Sequence, residues 1–363
     1  NIYVTAKDNM EKLKKIEIKP HRKLNDDNDA EETTALRSAV ASLAWIARQV
    51  RPSLCYRVSR LQTIASKALI KDRKDCNKLI DEVVEDSGQG LFFASDGVKW
   101  EDAIVCTIAD SNWGQEKVAF QVEGDITYED GKSQTGYMLC LVPNDAANRE
   151  TMPFHLISWS STVEERAVSS TLHAETYAMQ KGTASGARLR AAIVDMFGKL
   201  RLDDWEGSAG KAMGHIWMTD CKSVYEHLMS VRHNPKQNKR NNIELMALRG
   251  YIWSLEEERK LEIDACSGDY PRWIDTSTML TDPLTKSMKP DRLLEALESG
   301  ILDLRPTEDS LMIKAKNQQY RKKKKGEKQA HKEYMHEVKK QNLIDIDDDI
   351  IEMVFDRDDG DIV

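Results

Sequence analysis

The 363-residue chain has no run of about 20 apolar residues, the length a helix needs to cross a bilayer. It carries no secretory leader of basic, then apolar, then small residues, and no internal repeat. Its six cysteines, at 55, 76, 106, 140, 221 and 266, include no CxxC pair, so neither a zinc site nor a disulfide framework is suggested. Scattered thiols fit a reducing, intracellular compartment. GSAGKAMG (207–214) lacks the spacing and GK[ST] ending of a phosphate loop and reads as an ordinary loop. DRDDGD (356–361) misses the alternate-acid pattern of a calcium loop. Positive charge is also short, with 53 Lys and Arg against 61 Asp and Glu, a net −8. That balance argues only weakly against a nucleic-acid partner, because local basic patches decide such binding. The first residue is Asn, so the chain is expected to be a piece of a longer one.

Hydrophobic residues make up 40% of the sequence, enough for a real core over part of it. Residues 1–30 are polar and read as a linker or an orphaned strand. Leu36, Val40, Leu43, Ala47 and Val50 recur at helical spacing until Pro52 breaks the run. Leu54, Val58, Leu61, Ala65 and Leu69 predict a second amphipathic helix, and Leu79, Ile80, Val83 and Val84 a third. Residues 31–95 are therefore expected to form a small helical unit.

The period then changes. Ala103–Ile108, Tyr137–Val142 and Phe154–Trp159 are short, β-rich runs bounded by turn residues. A helical stretch follows over about 163–197, interrupted in pattern by Gly182 and Gly186. His215–Thr219 predicts a fourth strand and Leu261–Ala265 a fifth, with helices near 222–231 and 243–258. Two short helices are expected near 279–288 and 292–297. Three strands separated by turns, then strands alternating with helices, predict an α/β domain over 96–300 with a mixed five-stranded sheet and flanking helices. Residues 301–363 hold the RKKKK run and an acidic end, and read as a charged, disordered tail or a lone solvated helix.

Four acids stand out by their placement. Asp110 closes the first strand and Asp220 the fourth, and strand ends are where open sheets present functional groups. Glu175 shares a helix face with Leu172, Ala178 and Met179, a face that should pack on the sheet. A carboxylate there needs a cation or hydrogen-bond donors. Asp282 precedes Pro283, which suits a helix cap as well as a site. Converging carboxylates suit Mg2+ or Mn2+, and two such ions can activate water and stabilise a leaving oxygen in phosphodiester hydrolysis. Any one Asp among 61 acidic residues is ordinarily a solvated charge or a cap; the set of four on these elements is what points to metal.

ADSNWG (109–114), KSQTGY (132–137), WSS (159–161), SSTLHAE (169–175), MTDCKS (218–223) and LTDPLTK (280–286) follow one another along the chain. Together they resemble the ribonuclease H region of Copia-type retrotransposon Pol polyproteins. In that family the corresponding runs read like DADWAG, KSTSGY, WSS, SSTEAE, a strand ending in Asp, and LADxLTK. Residues 35–61 resemble the segment joining reverse transcriptase to ribonuclease H in the same family. The resemblance spans about residues 35–290. It implies a ribonuclease H-like fold for 96–300, and the helical end of a reverse transcriptase, thumb- or connection-like, for 31–95. It implies that Asp110, Glu175, Asp220 and Asp282 hold two Mg2+ or Mn2+ ions and cut the RNA strand of an RNA–DNA hybrid. The partners implied are that hybrid and an upstream reverse transcriptase domain of the same polyprotein, with no membrane. The place implied is a cytoplasmic particle or the nucleus. Ser111, Asn112, Ser170, Ser223 and Arg240 are candidate contacts to nucleic-acid backbones. The other reading is a catalytically inactive or domesticated remnant that serves as a nucleic-acid-binding or structural module.

The chain departs from the family pattern in places. Ser111–Asn112 stands for Ala–Asp, one extra residue separates SST from the Glu, and Thr281 and Pro283 flank Asp282. No aromatic-x-Asp-Asp motif is present, so polymerase activity is not expected of this piece. His227, read on a helix face, and His233, read in a loop, are minor candidates for assisting catalysis. Asp275 reads as a solvated loop acid.

Overall fold

A computed structural model of the chain describes residues 1–114, 118–122, 125–129, 132–166, 168–230, 239–253 and 268–342. The first elements are β1 (Ile2–Thr5), α1 (Lys7–Glu11), α2 (Ala30–Gln49), α3 (Cys55–Ile64), α4 (Ile70–Glu85) and β2 (Gly90–Phe93). Asp29 and Glu32 close a capping box that starts α2. Its buried stripe of Leu36, Val40, Leu43 and Ala47 is the periodic set legible in the sequence. The polar start of the chain is not loose: β1 pairs antiparallel with β2, with Ile2 opposite Phe93.

The next elements are β3 (Ala103–Asn112), β4 (Val118–Val122), β5 (Asp125–Glu129), β6 (Gln134–Pro143), β7 (Thr151–Pro153) and β8 (His155–Val163). After them come α5 (Thr171–Met196), α6 (Trp205–Ala212), β9 (His215–Thr219), α7 (Lys222–Met229), α8 (Lys239–Ile252) and β10 (Asp269–Trp273). The unit ends with α9 (Asp282–Thr285), α10 (Asp291–Ser299) and β11 (Ile301–Asp303). The main sheet has five strands in the order β10-β9-β3-β6-β8. β3, β6 and β8 are antiparallel neighbours, whereas β9 and β10 add parallel to β3. This mixed sheet with flanking helices is consistent with a ribonuclease H-like fold.

The helices from α2 to α4 do not hold a core of their own. One continuous apolar cluster joins Leu36, Leu43 and Leu79 to Ile104, Ile108, Met138 and Ile216 of the sheet. Trp159 of β8 ties the two together by donating its indole N–H to the Ala47 carbonyl at 2.9 Å. Asn1–Arg305 is one compact unit, and a separate unit begins at Pro306. The described part of the latter is a helix, α11 (Glu308–Asn342), which contains the RKKKK run.

Several expected boundaries shift. β3 continues past Ile108 to Asn112, because Asp110, Ser111 and Asn112 stay in register with Gly136, Thr135 and Gln134 of β6. Asp110 therefore lies inside the strand, not at its end. The run Leu261–Ala265 lies outside the described residues, as does His233. The fifth strand of the sheet is Asp269–Trp273. Its Pro271 is tolerated because β10 is an edge strand. The glycine-containing stretch before β9 folds largely as α6, whose start is capped by Asp204 accepting from the Gly207 N–H at 3.2 Å. α5 runs unbroken through Gly182 and Gly186. At Gly186 a Cβ would lie 2.4 Å from His215 Nε2 and 2.6 Å from Thr107 Oγ1, so the glycine lets the helix lie close on the sheet.

Candidate metal centre

Asp110 projects from the middle strand of the sheet, Asp220 follows the end of β9 next to it, and Glu175 lies in the second turn of α5, which packs across β3. One carboxylate oxygen from each comes within 4.8 Å of the others. Asp110 is 1% exposed and Glu175 7% exposed, while Asp220 is half-buried. Burial pushes the Asp110 carboxyl up to about 8; Lys286 opposes the rise, and the Asp282 and Asp220 charges add to it. Burial also raises Glu175 well above the usual carboxylate range, reinforced by the Asp110 and Asp220 charges. Asp220 is raised too, again by burial first, against a hydrogen bond with Thr276.

Glu175 Oε2 is buried with no hydrogen-bond partner; the neighbouring Ser111 hydroxyl, itself buried and unpartnered, only partly opposes the upward shift of the carboxyl. An orphaned carboxylate oxygen among like charges is the costly arrangement that proteins keep where something else supplies the partner. Three oxygen donors of this kind suit a hard divalent cation such as Mg2+ or Mn2+. Asp110, Glu175 and Asp220 thus form a triad with the geometry and chemistry to hold one.

Asp282 is adjacent but differently employed. It is the first residue of α9 and not its cap, which is Thr281. Its Oδ1 receives the Lys286 ammonium at 2.7 Å, one turn along. Lys286 Nζ also lies 3.8 Å from Asp110 Oδ2. Thr285, on the same short helix, donates its hydroxyl to that Asp110 oxygen. Among the described residues, Asp282 does not join the group of three oxygens.

The motif residues around the acids have visible jobs. Gly136 faces Asp110 across the ladder, and a Cβ there would lie 2.7 Å from Thr285 Cγ2. Only glycine lets α9 lie this close over β6. Ser161 donates to the Leu284 carbonyl at 2.5 Å, and Asn112 Nδ2 donates to the Thr285 carbonyl at 3.2 Å. Gly136, Ser161, Thr285 and Lys286 carry no site signal of their own in the sequence beyond their places in KSQTGY, WSS and LTDPLTK.

The candidate backbone contacts are scattered. Ser111 and Asn112 are buried in β3. Ser170 caps α5, accepting from the His173 N–H at 3.2 Å. Ser223 is exposed near the start of α7. Arg240 is exposed at the start of α8, with its guanidinium 6.0 Å from the centre of the Tyr177 ring. His227 is half-buried on α7, and its carbonyl accepts from Arg249 at 2.7 Å. Asp275, expected to be solvated, is 3% exposed; its Oδ1 accepts from the Ser277 N–H at 2.9 Å and the Ser277 hydroxyl at 2.6 Å. That capping role supplies the donors that make its burial tolerable.

No protein-family model matches the chain, and no curated protein matches it. Among solved structures, it is similar to the N-terminal RNase H domain of rv2228c from Mycobacterium tuberculosis, solved as a fusion with maltose-binding protein. The identity is 15% and the TM-score 0.27, over 54% of this chain and 98% of that one. At that TM-score the fold assignment rests on the sheet's own strand order and helices, not on the likeness. Among the described residues, no helix is long and apolar enough to cross a membrane.

Proposed function

We propose that the chain is a metal-dependent endonuclease that hydrolyses the RNA strand of RNA–DNA hybrids, as the ribonuclease H part of a Copia-type retrotransposon Pol polyprotein. The observation that carries this reading is the triad of Asp110, Glu175 and Asp220, in which Glu175 keeps a buried oxygen without a partner. The ordered motifs supply the retroelement context, and through it the hybrid as substrate.

In this reading the three carboxylates hold the cation. Bound divalent metal supplies water activation and stabilisation of the leaving oxygen. Thr285 fixes the Asp110 carboxylate by its hydroxyl, and Asn112 and Ser161 fix the backbone of the helix that carries Thr285. The sheet and α5 bury the triad on the protein side, which strengthens its electrostatics and leaves Asp220 as the solvent-facing member. Discrimination of hybrid from duplex DNA would rest on backbone shape and 2′-hydroxyls, with no demand for a base sequence. Exposed Ser223 and Arg240 are the proposed backbone contacts best placed to reach it.

The test is cleavage of a labelled RNA–DNA hybrid by the purified chain with Mg2+ or Mn2+, beside duplex RNA and duplex DNA. The expected result is cleavage of the RNA strand of the hybrid alone, lost in Asp110→Asn and in Glu175→Gln. Cleavage that survives both substitutions contradicts the site assignment. A folded wild type that binds metal and hybrid but cuts neither strand identifies an inactive remnant.

A further inference from the structure

The acids near Asp110 divide by how they are satisfied. On one side, Glu175 leaves a buried oxygen without a partner, and its group with Asp110 and Asp220 is open to an ion. On the other side, Asp282 is already answered by an ammonium at 2.7 Å, and the same ammonium lies 3.8 Å from Asp110. Asp110 is common to both sides. A second divalent ion about 3.5–4 Å from the first, as in two-metal sites, would need carboxylate oxygens beyond the triad, and the further acid beside Asp110 is Asp282. The Lys286 ammonium already lies along that edge.

We propose that Lys286 occupies the second cation position, so that this chain binds one divalent ion, in the Asp110–Glu175–Asp220 triad, with the ammonium serving the Asp110–Asp282 edge. This rests on the proposed metal-dependent reading and sharpens it by reducing the expected two ions to one. The lysine is built for the place. Its side chain is only 33% exposed, and it lies one helical turn from Asp282, on the residue that ends α9. α9 itself is held by Ser161 and Asn112, so the stem of Lys286 starts from a fixed backbone. An ammonium carries one charge and three donors. It can orient the two carboxylates and meet an anionic phosphate oxygen, but it cannot lower the pKa of a coordinated water. Water activation in this chain therefore belongs to the triad's ion alone, and Lys286 is a positioning residue.

The test is a Mn2+ titration of the full chain, counting ions by calorimetry and by the electron paramagnetic resonance of free Mn2+. Acidic surfaces bind Mn2+ weakly, so the quantity read is the number of ions that Asp110→Asn removes. The expected count is one for the wild type and one for Lys286→Arg. It is two for Lys286→Met and Lys286→Gln, each checked for folding by circular dichroism. Adding Asp282→Asn to Lys286→Met should return the count to one. Two Asp110-dependent ions in the wild type, or one in both neutral variants, overturns the proposal while leaving the triad as a metal site. No Asp110-dependent ion in any variant overturns the metal-dependent reading as well.

Discussion

Two buried polar clusters lie three residues apart on β3, at Thr107 and at Asp110, and they are built in opposite ways. At Thr107 the hydroxyl is 2.7 Å from His215 Nε2, and His215 Nδ1 is 3.0 Å from Asp269 Oδ1. Trp217 Nε1 reaches the same Asp269 oxygen at 3.1 Å, and Arg190 pairs with the other at 3.2 Å. Burial lowers the His215 pKa and keeps the ring neutral. Trp217 Nε1 is equally 3.1 Å from His215 Nδ1; with the indole N–H given to Asp269, the imidazole proton sits on Nδ1, facing Asp269, and Thr107 donates to Nε2. Burial pushes Asp269 up, but the hydrogen bond from His215 and the charge of Arg190 hold it below the usual carboxylate range. At Asp110, by contrast, three carboxylates meet with a buried oxygen unpartnered and Asp110 and Glu175 pushed upward. The same strand and the same depth give one acid its partners from the chain and leave the other set wanting a cation. Burial does not mark the candidate site, and neither does an unpartnered atom alone, since Arg190 Nε and Nη1 are buried without partners too; like charges meeting around an unpartnered acceptor do.

Substitutions in the two clusters should have opposite consequences. The largest effect should come from Asp110→Asn, which removes a carboxylate of the candidate triad and should cost on the order of a thousand-fold or more in hybrid cleavage. Asp269→Asn should leave cleavage near wild type below its melting temperature. Steady-state rates for the two variants check the contrast. Next, Asp269→Ala should destabilise the fold by about 3–5 kcal/mol in urea unfolding, because it strands the buried Arg190 guanidinium. Its Mn2+ binding should persist. Gly186→Ala should cost about 1–3 kcal/mol by forcing His215 and Thr107 apart, although Gly→Ala inside a helix normally stabilises. Urea unfolding again gives the sign.

The smallest effect is in pH, and its two halves oppose each other. Without metal, Asp110 and Glu175 titrate higher folded than unfolded, where the values are about 3.9 and 4.3. Their contribution is full below that range and is lost as pH rises, through about 8 for Asp110. His215 titrates below its unfolded value of about 6.5, so its contribution is full above that pH and is lost as pH falls through its folded value. Asp269 behaves alike below about 3.9. Metal-free protein should therefore lose a few degrees of melting temperature between about pH 6.5 and 8.5. Saturating Mg2+ should remove most of that loss in the wild type and little of it in Glu175→Gln. Thermal melts across the range, with and without Mg2+, measure it.

Much of the centre was legible in the sequence, and the gaps have physical causes. β9 was read to the residue because His215–Thr219 is a short run between turn residues. β10 was missed because an edge strand needs no apolar alternation and tolerates Pro271 and Arg272. The end of β3 was missed because its last residues are polar and stay in register through Gly136 and Thr135 of β6. β1 and β2 pair across almost 90 residues, a separation that local patterning does not encode. Asp282 was legible as an acid near the site but not as an acid already paired. Its lysine lies four residues on, and ordinary i, i+4 pairs of this kind are surface decoration. The Thr107 network leaves no mark in the sequence, since its Thr, His, Asp and Arg come from four elements and carry no common spacing.

The triad is tested most directly by the position of Mn2+ in crystals of the chain grown with an RNA–DNA hybrid, located by anomalous scattering. The expected result is an ion bound by carboxylate oxygens of Asp110, Glu175 and Asp220 at about 2.0–2.2 Å, beside the RNA strand. An ion held elsewhere, with the Glu175 oxygen still unpartnered, would contradict it.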